Sequence, residues 1–155
     1  MICVLNVGQG RTEIQPEILK PRPAHTTVIE KKIVVSHEVL LRWKAVKLAV
    51  IDKIRGTESI YIVPIGSPFT VPTSKLTIMV DAFLPAFTME GATITSSSNE
   101  LWNPSAKVNI TENGTTIFQG WLFSKFPNTH AVTHPKYGFS LIGVVPRQNM
   151  NSNPR

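Results

Sequence analysis

The chain has one cysteine, Cys3, so no intramolecular disulfide can close, and it has no Cys-x-x-Cys and no Cys/His array of zinc spacing. Cysteine usage therefore fixes no redox compartment. Apolar runs such as Leu141-Ile142-Gly143-Val144-Val145 fall far short of the roughly 18 residues a spanning helix needs. Charge is scarce as well, 17% of residues against about 25% in an average domain. Long helical periodicity and internal repeats are missing. Catalytic signatures are equally thin: there is no G-x-S-x-G elbow, and Gly8-Gln9-Gly10-Arg11 lacks the third glycine and the following helix of a phosphate loop. Ser96 to Ser98 are loop-like, Cys3 has no identifiable base, and Asp52, Asp81, Glu90 and Glu100 form no paired motif. An enzyme is the class with least support, and no catalytic residue is assigned.

A secretory signal is not spelled out either. Met1-Ile2-Cys3-Val4-Leu5-Asn6-Val7 does not combine a basic start, an apolar segment of roughly 7 to 15 residues and a small-residue cleavage site. Two expectations stay open: a cytoplasmic protein, or one whose native start carries the signal, with Cys3 then a candidate for lipid attachment.

What is present is enough for one domain. A chain of 155 residues with 42% hydrophobic content buries roughly 70% of the surface that its unfolded form exposes. The net charge of +6 is concentrated early, because residues 20–53 hold eight bases against three acids and residues 54–155 seven against five. Such a basic segment suits nucleic acid or an anionic membrane face, while the simpler reading is a solvated surface.

Pro16, Pro21 and Pro23 fix φ and remove donors, so residues 1–32 read as an extended basic, proline-rich arm. The β domain is expected over 33–146, followed by a polar tail over 147–155. Ser36 is placed to cap a single helical turn through Trp43. From Ala45 the period becomes two, with Val46, Leu48 and Val50 on one face and Lys47 and Lys53 on the other. A turn at Arg55-Gly56-Thr57-Glu58 leads to a second strand over Ser59–Val63, making a hairpin. Leu76, Ile78, Val80 and Ala82 alternate as a third strand, Ala92–Thr95 is a short one, and Ser96–Pro104 is a loop carrying Trp102.

Phe83-Leu84-Pro85-Ala86-Phe87 is read as an apolar loop that either plugs the core or offers a patch to a partner. Asn113-Gly114 is the clearest hairpin signal. A three-residue loop, Glu112-Asn113-Gly114 with Gly114 left-handed, sets Val108 opposite Phe118 and sorts polar from apolar better than a two-residue loop. Asn109-Ile110-Thr111 and Asn113-Gly114-Thr115 match the glycosylation pattern but are taken as strand and turn residues. A last strand runs over Tyr137–Val145. Six or more strands with short turns give an all-β fold, a β-sandwich or partly closed β-barrel.

Phe118-Gln119-Gly120-Trp121-Leu122-Phe123 and the later His134-Pro135-Lys136-Tyr137, with Trp43-Lys44-Ala45-Val46-Lys47-Leu48 and Phe83-Leu84-Pro85-Ala86-Phe87, resemble a bacterial family known as domain of unknown function 2155. The likeness spans roughly residues 33–146 by motif reading. It implies an exported protein, carried by a signal or lipid anchor ahead of a proline-rich spacer, and assigns Gly120, Trp121, Phe123, His134, Pro135 and Tyr137 a structural role. The resemblance supplies no activity, no cofactor and no disulfide.

His130 and His134 have the spacing of a zinc-binding helix, but Pro127 and Pro135 bracket them and no third ligand stands nearby. A metal-dependent enzyme built on this pair is the weakest alternative, and no metal is assigned. His134 is expected instead to fix the loop before Pro135 by a side-chain hydrogen bond. An OB-like nucleic-acid-binding domain with Tyr61 or Trp121 as stacking platforms is the other alternative. Their apolar surroundings argue for core packing. The reading that results is a non-catalytic interaction or assembly module of the bacterial envelope, periplasmic or lipid-anchored, with peripheral membrane association. It meets an unknown protein partner through Phe83, Leu84, Phe87 and Trp102.

Overall fold

The computed structural model describes residues 29–129 and 132–148. Most of the arm, with Cys3, the Gly8–Gly10 stretch and the three prolines, lies outside the described residues, as do His130 and the end of the tail. The elements in chain order are β1 (Lys32–Ile33), α1 (His37–Arg42), β2 (Trp43–Asp52), β3 (Thr57–Pro64), β4 (Phe69–Thr70), β5 (Leu76–Leu84), β6 (Phe87–Glu90), β7 (Thr93–Ser96), β8 (Ser105–Glu112), β9 (Thr115–Phe123) and β10 (Tyr137–Pro146).

The expected cap is in place. Ser36 has extended backbone and its side chain accepts from the Val39 N–H, which starts α1, and the helix stops where Trp43 turns extended. So short a helix is not stable alone. It is held because Val39 is buried in the core with Trp43 and Phe83.

Three sheets follow from the strand patterns. One has the order β10-β2-β3, a second β4-β5-β8-β9, and a small third β1-β7-β6 in which β1 runs parallel to β7. The first two face each other. Val46, Leu48, Val63, Phe139 and Leu141 come from one side and Ile78, Val80, Val108, Ile110 and Leu122 from the other, all at 7% exposure or less. Each such side chain contributes roughly 1.5–3 kcal/mol by leaving water. A parallel bridge between Ile65 and Val80 links the two sheets along one side. Along the other, no ladder joins β9 to β10 among the described residues. The all-β expectation is met, as a sandwich open along that seam and not as a closed barrel.

Register defines two ends. β2 runs from Trp43 to Asp52 while β10 runs back from Tyr137 to Pro146, pairing Tyr137 with Asp52 and Pro146 with Trp43. β5 and β8 likewise pair Leu84 with Ser105 at one end and Leu76 with Glu112 at the other. α1, Phe83 and both ends of the described chain therefore lie at one end of the sandwich. The turns after Asp52 and Glu112 lie at the opposite end.

Two sequence expectations are corrected. The β8–β9 loop has two residues, since Glu112 pairs with Thr115, and both Asn113 and Gly114 have positive φ, at 51° and 81°. This is the backbone that matches strand twist in tight hairpins. The extra residue sits one step up the strand as a bulge between Thr111 and Ile110, which sets Ile110 opposite Phe118 and Val108 opposite Gly120. Phe83-Leu84, read as loop, is the end of β5. Pro85 ends that strand, where no ladder N–H is required.

Candidate functional site

The predicted contact residues do not share one surface. Phe83 packs edge-on against Trp43 with ring centroids 5.9 Å apart, and both Phe83 and Leu84 are sealed from solvent. The segment is stitched down on both sides: Asn103 N–H donates to Pro85 O at 3.0 Å, and Ser97 N–H to Ala86 O at 2.9 Å. Neither side chain is free to meet a partner, so Phe83 and Leu84 buttress this end from within. Phe87 is half-buried and joins the motif residues, its ring T-shaped to Trp121 at 5.1 Å and to Phe123 at 5.0 Å. Edge-to-face pairs of this kind add about 0.5–1.5 kcal/mol each beyond burial.

Trp102 alone of the four is open, at 63% exposure. Its loop is held at fixed points. Ser98 Oγ accepts from Glu100 N–H at 3.0 Å, and Asn99 Oδ1 accepts from Trp43 Nε1 at 2.9 Å while its amide donates to Glu38 O at 3.2 Å. Arg42 closes the same junction, donating to Asn99 O and to Glu100 Oε1, each at 3.1 Å, with its guanidinium 4.8 Å from the Trp43 ring centroid. The loop and α1 are thus one unit.

That unit exposes Leu40 and Leu41 from α1 and Leu101 beside Trp102. Sequence reasoning missed these three. The available signal was the length of α1: neighbouring residues lie about 100° apart around a helix, so a one-turn helix that buries Val39 turns Leu40 and Leu41 away.

His134 makes the expected kind of side-chain hydrogen bond, but to backbone after Pro135, at the entry to β10, and not in the loop before it. Its Nδ1 accepts the backbone N–H of Lys136 at 3.2 Å and of Tyr137 at 3.1 Å, and its ring stacks on Tyr137 at 5.6 Å. Its Nδ1 is therefore engaged with backbone, and its sequence partner His130 is outside the described residues. Among the described residues no three His, Cys, Asp or Glu side chains come together. Ser96 Oγ accepts from Ala86 N–H and donates to Ser98 O, a structural duty. Tyr61 is tilted against Phe69 and Trp121 is packed on Phe87, which gives stacking on nucleic-acid bases no support.

The other end of the sandwich holds a cleft of about 900 Å³ between the sheets. Lys136 at its rim lies 3.5 Å from Glu112 and 5.0 Å above the Tyr137 ring. Contact with Tyr137, and after it the Glu112 carboxylate, raises the Lys136 ammonium above its ordinary value. The Lys136 ammonium therefore keeps its charge through neutral and mildly alkaline conditions.

A family model described as an uncharacterized protein conserved in bacteria, DUF2155, matches residues 46–143, from within β2 to within β10. Nothing among curated proteins or solved structures matches the chain.

Proposed function

The chain belongs to this bacterial DUF2155 family, and from that membership we propose that it is a non-catalytic envelope module that holds a protein partner against the α1 end of its sandwich. The observation that carries this reading is Trp102, an indole left in water on a loop pinned to the fold. Trp is the residue most enriched among binding hot spots, and a loop already ordered loses little entropy on association. Leu101, Leu40 and Leu41 extend the apolar surface at the same end, with the Arg42–Glu100 pair among them. Single exposed leucines are ordinary; a set drawn from two segments tied together supports an interface.

The envelope location and a peripheral or lipid-anchored attachment follow the export that the family resemblance implies, and the proline-rich composition from Pro16 to Pro23 suits them. A spacer of that composition gives reach from an anchor.

The test is a photo-crosslinking residue in place of Trp102 in the natively expressed protein, with the same residue in place of Lys107 as control. A discrete protein adduct at 102, reduced about tenfold by Leu41→Ser with Leu101→Ser, is expected. No adduct at 102, or an equal yield at 107, rejects the reading.

A further inference from the structure

β3 is inside out. Its pairing with β2 sets Ser59 opposite Val50, Tyr61 opposite Leu48 and Val63 opposite Val46. Those β2 residues point into the core, so Ser59 and Tyr61, with Thr57 two steps further on, point inward too. Ile60 and Ile62 point outward and are 58% and 56% exposed. A strand with one covered face is expected to turn its apolar residues in and its polar ones out. Leaving two isoleucines in water while hydroxyls face inward breaks that rule, and such local conflicts concentrate at functional sites.

The cleft of about 900 Å³ lies where the reversed residues face, a size within the range of small-molecule sites. Thr57, Ser59 and Tyr61 form one wall and Val50, Val71 and Leu76 the apolar floor. Side chains two apart on one strand face are spaced by roughly 7 Å, and these three hydroxyls bond no protein group among the described residues. The charged groups at the rim are mostly satisfied: Arg55 lies 3.9 Å from Asp52, and Lys136 pairs with Glu112. Lys75 has no ion pair among the described residues, yet its backbone is fixed, because its carbonyl accepts the Asn113 N–H at 2.9 Å.

We propose that this cleft binds a short oligosaccharide bearing a carboxylate. A saccharide needs both surfaces that the cleft offers. Its hydroxyls exchange hydrogen bonds with Thr57, Ser59 and Tyr61, its C–H faces lie on the apolar floor, and Lys75 takes the carboxylate. Roughly two or three sugar rings fill the volume. The site is at the end opposite Trp102 and does not depend on the partner surface described above.

The experiment titrates the isotope-labelled full chain with trigalacturonate and with neutral maltotriose, following backbone amide shifts. Saturable shifts at residues 57–61, 73–75 and 113–115 are expected with the acidic trimer, complete below about 10 mM, and affinity about tenfold weaker for the neutral one. Thr57→Val with Ser59→Val, both β-formers at exposed positions, lowers affinity about tenfold for either sugar; Lys75→Gln lowers it for the acidic sugar alone. Tyr61→Phe serves the same purpose should the double variant not fold. Absence of saturable shifts with the acidic trimer, or unchanged affinity in the hydroxyl variants, overturns the site. Neutral sugar binding as tightly as acidic, or Lys75→Gln without effect, overturns the carboxylate.

Discussion

Asn113 holds a backbone conformation that side chains with branched Cβ atoms avoid, with φ at 51° in the β8–β9 turn. Asn113→Val is expected to cost about 1–2 kcal/mol and Asn113→Gly to stay within about 0.5 kcal/mol, read from urea midpoints at constant slope. His134→Ala removes the acceptor of two backbone N–H groups. It costs about 1–2 kcal/mol and loosens the path into β10, seen as faster amide exchange at Lys136 and Tyr137. Lys136 predicts a pH dependence. Its folded value is raised, so its contribution is complete below the ordinary value of 10.5 and is lost as pH climbs through the raised one. Lys136→Met, measured between pH 9 and 11.5, flattens that alkaline decline. The kind of bond His134 makes and the left-handed Gly114 were legible in the sequence because each is dictated by neighbours along the chain. The two-residue turn was not, since the bulge that restores the register belongs to the pairing of β8 with β9, and with no bulge a three-residue loop sorts the faces better.

At the level of elements, α1 and the Trp102 loop stand or fall together. Asn99→Ala leaves the Trp43 indole N–H without its acceptor and releases Glu38 O, at a cost of about 1–3 kcal/mol. Tryptophan fluorescence and the urea midpoint are expected to change together. If the midpoint does not move, the junction is not what holds α1. The hairpin of β2 and β3, the strand from Leu76 and the last strand could all be found from period and turn residues. Of the small third sheet only β7 was found, as the short strand at Ala92–Thr95; β1 was not, because it pairs with β7 across 61 positions of chain, from Lys32 to Thr93, and a two-residue strand carries no period. Phe83 and Leu84 misled for a local reason: the adjacent Pro85 signals a break, although β5 needs no N–H there. The reversal of β3 was within reach. With Val46, Leu48 and Val50 inward and the turn set by Asp52 to Thr57, the partner residues Ser59 and Tyr61 had to face inward as well.

For the whole molecule, fractionation with an intact mass of the natively expressed protein is expected to find it processed or lipidated in the envelope. An unprocessed cytosolic protein sinks that part of the reading. Ile60→Thr with Ile62→Thr leaves stability within about 0.5 kcal/mol, because neither side chain belongs to the core, and solubility rises. Both ends of the described chain leave the sandwich on the α1 side, where Arg147 N–H donates to Arg42 O and its Nε to Leu40 O. That geometry decides how the fold answers mechanical tension. Pulling on the two ends loads the short β1–β7 pairing and this clasp first, and then peels β10 from β2 one rung at a time, since the bonds of an antiparallel pair lie across the strands and are loaded singly from one end. Tension on the chain therefore yields the sandwich at low force, like a zip drawn from its open end, and the cleft end is the last part to feel the pull.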